Sequence, residues 1–268
     1  MIVILILCLS LSGCPMASTN ISSGINKERY KMQSTDFDNT CINWYFIPNN
    51  QFQTPQVNDT LRFRLSDYNA IYNGPTVSKN KSLYLTFDEG YENGYTEQIL
   101  DILKEKDVKA IFFVTSHYIC YVPDTVKRMV TEGHMVANHT KHHYSMPSVT
   151  YSTKVFNKEL KDVEDRFKNL TGEDLSNFFR PPMGQYSEKS LAMTKDLGYQ
   201  TIFWSFAYGD YEPNNQPSPA YARQYIFNHL HDGSIILLHA ISKTNASILG
   251  DVIDDARNSG YEFYLLPQ

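Results

Sequence analysis

The chain has 268 residues, with 24 basic and 29 acidic side chains and a net charge of -5. That length suits one sizeable domain with a short preface and argues against two large ones. The acidic balance, with no basic stripe to hold a phosphate backbone, argues against nucleic acid as a partner. The 19 Tyr, 15 Phe and 2 Trp are read mainly as core and half-buried surface, Trp204 included, although some could serve as sugar-stacking platforms.

In chain order, residues 1–14, MIVILILCLSLSGC, form an uncharged apolar run that ends in small residues and a cysteine. At roughly 12 apolar or small residues it is short of the ~20 needed to span a bilayer permanently. Its length suits a secretory signal. Leu11-Ser12-Gly13-Cys14 resembles the bacterial lipobox, although the run lacks the usual leading Lys or Arg. Lipid on Cys14 would anchor the protein stably to the membrane, placing it outside the cytoplasm on the outer face. Residues 15–43 are polar and aperiodic, as a tether would be. Export permits a disulfide between Cys41 and Cys120, but two cysteines so far apart in sequence give no geometric evidence for one.

From Leu83 onward, short apolar runs alternate with helix-period segments. The strand candidates are residues 83–87, 109–114, 134–138, 177–180, 200–205, 234–239 and 261–266, and all but the last are followed by a helix candidate. Phe156, Leu160, Val163 and Phe167 step along one helical face, a second helix starts at Ser187 and stops at Gly198, and Val252, Ile253 and Ala256 line a third that ends before Gly260. Strict alternation with uninterrupted apolar strands means α/β architecture, a parallel sheet covered by helices. The polar residues favour a barrel over a doubly wound sheet. Asp88 and Glu89 follow the first strand, His139 and His143 the third, Arg180 ends the fourth, Asp210 trails the fifth and His239 ends the sixth. A barrel lets five strand ends converge on one centre, whereas a doubly wound sheet gathers ligands at one crevice.

His139 and His143, four apart in NHTKHH, could lie on one face of a helical turn and bind one metal ion, the bland alternative being a surface polar cluster. With a carboxylate from another strand end, the set would suit an ion that activates water for hydrolysis, and a second carboxylate could take the water's proton. FDEG taken alone reads equally as an acidic turn with Gly90 at positive φ. Arg180, before two prolines, could orient a carboxylate or merely close a corner. His239 could be a general acid held protonated by Asp210, although a lone histidine is more often simply packed.

Taken together and in order, TFDEG, HTKHH, RPPMG, FWS with Asp210, and LLH resemble the five motifs of the polysaccharide deacetylase family, carbohydrate esterase family 4 with its NodB-type domain. The resemblance covers residues 80–268. FDEGYENGYT, Asn214 to Gln216 and LLHAISKTNA are more particularly similar to the sporulation branch that deacetylates muramic acid in peptidoglycan, a branch that shares a segment here at residues 44–79. The resemblance implies a distorted seven-stranded parallel (β/α) barrel and a hydrolase acting on a linear amide C–N bond. It implies a divalent metal, zinc by ligand type, on Glu89, His139 and His143. It also implies Asp88 as the base oriented by Arg180, the Met183 N–H as an oxyanion donor, and His239, tuned by Asp210, as the acid. The partner would be a peptidoglycan glycan strand, bound by a monomer. The departure is Glu89, where the family has Asp and this branch often Asn. One added methylene moves the oxygens by roughly 1 to 1.5 Å, against a tolerance of about 0.5 Å. The alternatives are a deacetylase of N-acetylglucosamine or another glycan, and a non-catalytic glycan-binding relic.

Overall fold

In a computed structural model of the chain, the structure describes residues 37–77 and 80–268. The signal, Cys14 and most of the tether lie outside the described residues.

Three short strands come first, β1 (Ile42–Asn43), β2 (Phe46–Ile47) and β3 (Gln56–Val57), with β4 (Ala70–Ile71) after them. The alternation then runs β5 (Lys81–Glu89), α1 (Thr96–Glu105), β6 (Ile111–Val114), α2 (Ser116–Tyr121), α3 (Pro123–Thr131), β7 (Met135–Asn138) and α4 (Thr153–Thr171). It continues with β8 (Phe178–Phe179), β9 (Gln185–Tyr186), α5 (Glu188–Asp196), β10 (Gln200–Ile202), α6 (Pro219–Asn228), β11 (Ser234–Leu238), α7 (Lys243–Asn258) and β12 (Tyr261–Phe263). All seven strand candidates are strands.

The main sheet runs β11-β5-β6-β7-β8-β10-β4, with β12 added on β5, and every pairing in it is parallel. It curls into an incomplete barrel, with the segments after β4 and β10 reaching β11 through isolated bridges, Asn73 to Ser234 and Phe206 to Ile236. One strand was not expected. β4 precedes residue 80 yet pairs with β10, Ala70 opposite Thr201 and Ile71 opposite Ile202. Residues 44–79 therefore contribute to the sheet itself, and Trp44 binds the motif loop from outside, its N–H donating to the Gly184 carbonyl at 2.8 Å and its indole N–H to the Trp204 carbonyl at 3.0 Å.

The strands carry two cores because their side chains alternate between faces. Tyr84, Ile111, Phe113, Ala137, Phe178, Ile202 and Ile235 fill the barrel interior. Leu83, Leu85, Phe87, Phe112, Val114, Val136, Ile236 and Leu238 face outward, under the helices. The expected helical faces pack as read: Phe156, Leu160, Val163 and Phe167 of α4 are all buried. Ser187 caps α5, its hydroxyl accepting from the Ser190 N–H, and Gly198 and Gly260 follow their helices at φ of 87° and 82°, the left-handed conformation glycine adopts without strain. Cys41 and Cys120 are free and exposed.

Candidate active site

The two acids of β5 part company. Thr86 and Asp88 share the inward face of Tyr84, while Glu89 falls on the outward face of Leu85 and Phe87. The register agrees, with Asp88 opposite the inward Phe113 and Glu89 opposite the outward Val114.

Inside the mouth of the barrel, Arg180 is fully buried. Its Nη1 donates to Asp88 Oδ1 and to Thr86 Oγ1, both at 2.8 Å. Its Nε donates to the Ile202 carbonyl at 3.0 Å and Nη2 to the Phe203 carbonyl at 3.4 Å, while the guanidinium lies 4.1 Å from the centre of the Phe113 ring. The planar fork is thus anchored on four sides, an arrangement suited to arginine. Burial works to raise the Asp88 pKa, but Arg180, with His139 and His239, outweighs it and holds the carboxyl below its ordinary value. Asp88 is therefore an ionised carboxylate at neutral pH.

His139 follows β7 on the inward side, as Ala137 does. Its Nδ1–H donates to the Arg180 carbonyl at 2.8 Å, leaving Nε2 with its lone pair 3.7 Å from Asp88 Oδ2. Burial pushes its pKa down to about 4, so the ring is neutral. His143 lies beside it, ring centres 5.0 Å apart, and burial lowers its pKa too. The pair is not brought together by a helical turn. Thr140 and His143 have φ of 71° and 59°, and the loop is folded by side chains: Asn138 Oδ1 accepts from the Thr140 N–H at 2.9 Å and Thr140 Oγ1 from the His143 N–H at 3.0 Å. His142 points elsewhere, its ring pinned to Glu159 at 2.6 Å.

The expected third metal ligand is not with them. Glu89 is fully buried and neither of its carboxylate oxygens has a hydrogen-bond partner. Burial pushes its pKa well above the ordinary 4.5, with Glu92 and Asp88 adding to the shift. Strand alternation directs it away from the histidines, toward Tyr118, whose hydroxyl it helps to keep protonated. Among the described residues no group of three His, Cys, Asp or Glu side chains is gathered around one point. Two neutral imidazoles, one with its tautomer fixed by a carbonyl, have the chemistry of metal ligands; Glu89 is not placed to complete them. Glu92 has a separate task, its Oε1 accepting from the Tyr95 N–H at 3.0 Å ahead of α1 and its Oε2 from the Tyr118 hydroxyl at 3.1 Å.

A fully buried acid with a raised pKa makes a stability prediction. Because the folded pKa of Glu89 is raised, its contribution is fully present below about pH 4.5 and is lost as pH rises, each pH unit up to the folded pKa costing about 1.4 kcal/mol. Glu89→Gln, neutral at every pH, is expected to be more stable than the parent at pH 7 and to lose that advantage below pH 4.5. Denaturant titrations at pH 4 and pH 7 measure this, and a variant less stable at both would contradict it.

Across the mouth, His239 follows β11. Its Nδ1–H donates to Asp210 Oδ1 and its backbone N–H to Asp210 Oδ2, both at 2.8 Å. Burial opposes charge on this ring, but Asp210, with Asp88, outweighs it and the pKa is raised. Asp210 is itself fully buried, and Asn245 donates to its Oδ2 at 2.6 Å. Met183, at φ 58°, stands at the rim, 54% exposed. The next residue, Gly184, also has positive φ, and a Cβ there would come within 2.9 Å of Trp204 and 3.0 Å of Trp44.

The structure thus brings Asp88, Arg180, His139, His143, His239 and Asp210 to one end of the barrel and leaves Glu89 out. Thr86 and Asn245 were not singled out in the sequence. Thr86 was detectable from its spacing of two from Asp88 on a strand, and Asn245 from its place three residues after Ser242, the cap of α7. Chemically, an ionised carboxylate and a protonatable imidazole face a shared space, an arrangement for moving a proton from water and onto a leaving group.

Known proteins are similar to this chain in sequence and fold. A family model described as polysaccharide deacetylase matches residues 76–202, which takes in Asp88, His139, His143, Arg180 and Met183 but not Asp210 or His239. Peptidoglycan-N-acetylmuramic acid deacetylase PdaA of Bacillus subtilis is 42% identical over 232 residues, 86% of this chain and 86% of that protein. The solved structure of Bacillus subtilis PdaA, described as a family 4 carbohydrate esterase, matches with a TM-score of 0.80 at 41% identity, covering 85% of this chain and 96% of that one. A peptidoglycan-N-acetylglucosamine deacetylase of Bacillus cereus is 31% identical over 195 residues, 69% of this chain and 86% of that protein. With that identity along nearly the whole described chain, and the same fold, the chain is an enzyme that belongs to the polysaccharide deacetylase family.

Proposed function

We propose that this enzyme removes N-acetyl groups from peptidoglycan, and from N-acetylmuramic acid in particular, leaving the free amine from which a muramic δ-lactam can form in spore cortex. The observation that carries the sugar assignment is the 42% identity to the muramic acid deacetylase over 86% of both chains. The N-acetylglucosamine deacetylase is 31% identical over a shorter span. In the cell we place the enzyme outside the cytoplasm, exported by residues 1–14, anchored through lipid on Cys14 and acting as a monomer.

Hydrolysis of an acetamide adds water across the C–N bond and yields acetate and an amine. Asp88, held ionised by Arg180, takes a proton from the water that attacks the acetyl carbon. The Met183 N–H, at the rim, would meet the carbonyl oxygen as it gains charge. His239, kept protonated by Asp210, gives its proton to the departing nitrogen, so that the leaving group is an amine and not its anion. His139 and His143 would hold a divalent ion, zinc by their imidazole donors, and bound there it would supply Lewis-acid polarisation of the acetyl carbonyl.

The test is acetate release from purified glycan strands, with and without stem peptides, together with identification of the sugar that gains an amine. Muramic acid residues are expected to lose acetyl groups, with activity suppressed by a chelator and restored by a divalent metal. Amines appearing only on glucosamine would move the assignment to the other sugar. Release unaffected by chelation would remove the ion from the mechanism.

A further inference from the structure

Asp210 can orient His239 only if something orients Asp210, and the neighbouring helix supplies the candidate. Asn245 is 1% exposed, on the first turn of α7, where its N–H donates to the Ser242 cap at 3.0 Å. Both ends of its amide are engaged. Nδ2 donates to Asp210 Oδ2 at 2.6 Å and to the His239 carbonyl at 3.1 Å, and Oδ1 accepts from the Tyr208 hydroxyl. A phenol at neutral pH donates, so it requires the oxygen of the amide to face it, and that fixes the nitrogen toward Asp210. Gln216 ties the same loop from the other side, donating to the Asp210 carbonyl at 2.8 Å and accepting from Ser242.

We propose that Asn245 is a positioning residue for the proton donor: it holds Asp210 in the rotamer from which one carboxylate grips both the Nδ1–H and the backbone N–H of His239. The inference rests on His239 being the acid of the deacetylase reaction. Without Asn245, Oδ2 keeps a single donor, the His239 N–H, and the His239 carbonyl loses the contact that ties it to α7. A buried carboxylate one partner short turns toward whatever donors remain, and its hold on the imidazole weakens. The other charged and titratable groups facing His239 are Asp88, Arg180 and His143, with the Tyr211 ring 6.1 Å away; none of them touches Asn245.

The experiment compares the parent with Asn245→Leu, which matches the side chain in size and carries no donor, and with Tyr208→Phe, which leaves the amide in place but removes what orients it. On glycan strands, Asn245→Leu is expected to lower kcat about tenfold, with KM within twofold. In histidine-labelled protein followed by NMR, with His239→Gln to assign the signal, His239 should titrate at lower pH in Asn245→Leu than in the parent. Tyr208→Phe should move both readouts the same way by less, and it decides the matter if Asn245→Leu does not fold. An unchanged His239 titration in a folded variant overturns the proposal. Absence of acetate release from the parent would instead refute the deacetylase reading, and the titration comparison would still decide the role of Asn245.

Discussion

Asp88→Asn is expected to lower kcat by about 10² to 10⁴ while KM stays close to the parent's. The substitution is isosteric and keeps an oxygen for Arg180 Nη1 to bind, so the site retains its shape and loses only the carboxylate proposed as its base. The parent's pH profile follows from the same geometry. Asp88 must be ionised, and with its pKa held below the ordinary carboxylate value the acid limb lies at low pH. His239, as the proposed acid, must be protonated, and with its pKa raised from the ordinary imidazole value the alkaline limb lies at higher pH than a free histidine would give. In Asp88→Asn the residual rate should lack the acid limb. Steady-state kinetics on glycan strands from pH 3 to pH 9 test this, and an undiminished kcat would remove Asp88 from the chemistry. Stability should fall as well, because Arg180 is then buried without a counter-charge, its remaining partners being Thr86 and the carbonyls of Ile202 and Phe203.

The distinction between Asp88 and its neighbour Glu89 shows how much of the site the sequence exposed. The alternating apolar runs and the polar residues after them placed seven candidate side chains at one end of a parallel barrel, and the structure gathers six of them there, without Glu89. The placement of Asp88 and Glu89 on opposite faces was not recoverable, because it depends on where β5 ends. A strand stopping at Phe87 leaves both acids in a turn, free to face one ion; a strand running to Glu89 sends them to opposite faces, since alternation admits no exception within a ladder. Apolar content cannot locate that boundary, as both residues are acids. The histidine pair failed in the opposite way. A spacing of four suggested a helical turn, whereas a loop with two left-handed residues does the same work, held by the Asn138 and Thr140 side chains. β4 was missed because two residues, Ala70 and Ile71, carry no pattern of their own; its existence depends on β10 lying alongside.

Removing Arg180 should affect both stability and chemistry. Arg180→Met fills much of the same volume with apolar atoms but leaves Asp88 buried, 9% exposed, with no guanidinium beside it. Breaking a buried pair from one side costs about 3–5 kcal/mol, which in a chain of this size lowers the unfolding midpoint by on the order of 10 °C. The sign of the pH dependence distinguishes this loss from simple mispacking. In the parent the Asp88 carboxyl is held below its ordinary 3.8, so its stabilisation is present above that value and disappears as pH falls through the folded pKa. In Arg180→Met burial acts with less opposition and raises the carboxyl. The variant is therefore expected to be closest to the parent in stability at low pH and furthest from it at neutrality, and the acid limb of its remaining activity should move upward. Arg180→Lys keeps a charge near Asp88 but cannot reach Thr86, Ile202 and Phe203 from one rigid fork, so it should recover part of the stability and little of the rate. Full recovery by Lys would mean that Arg180 acts through charge alone, and that the four-sided anchoring of its guanidinium does not contribute to catalysis.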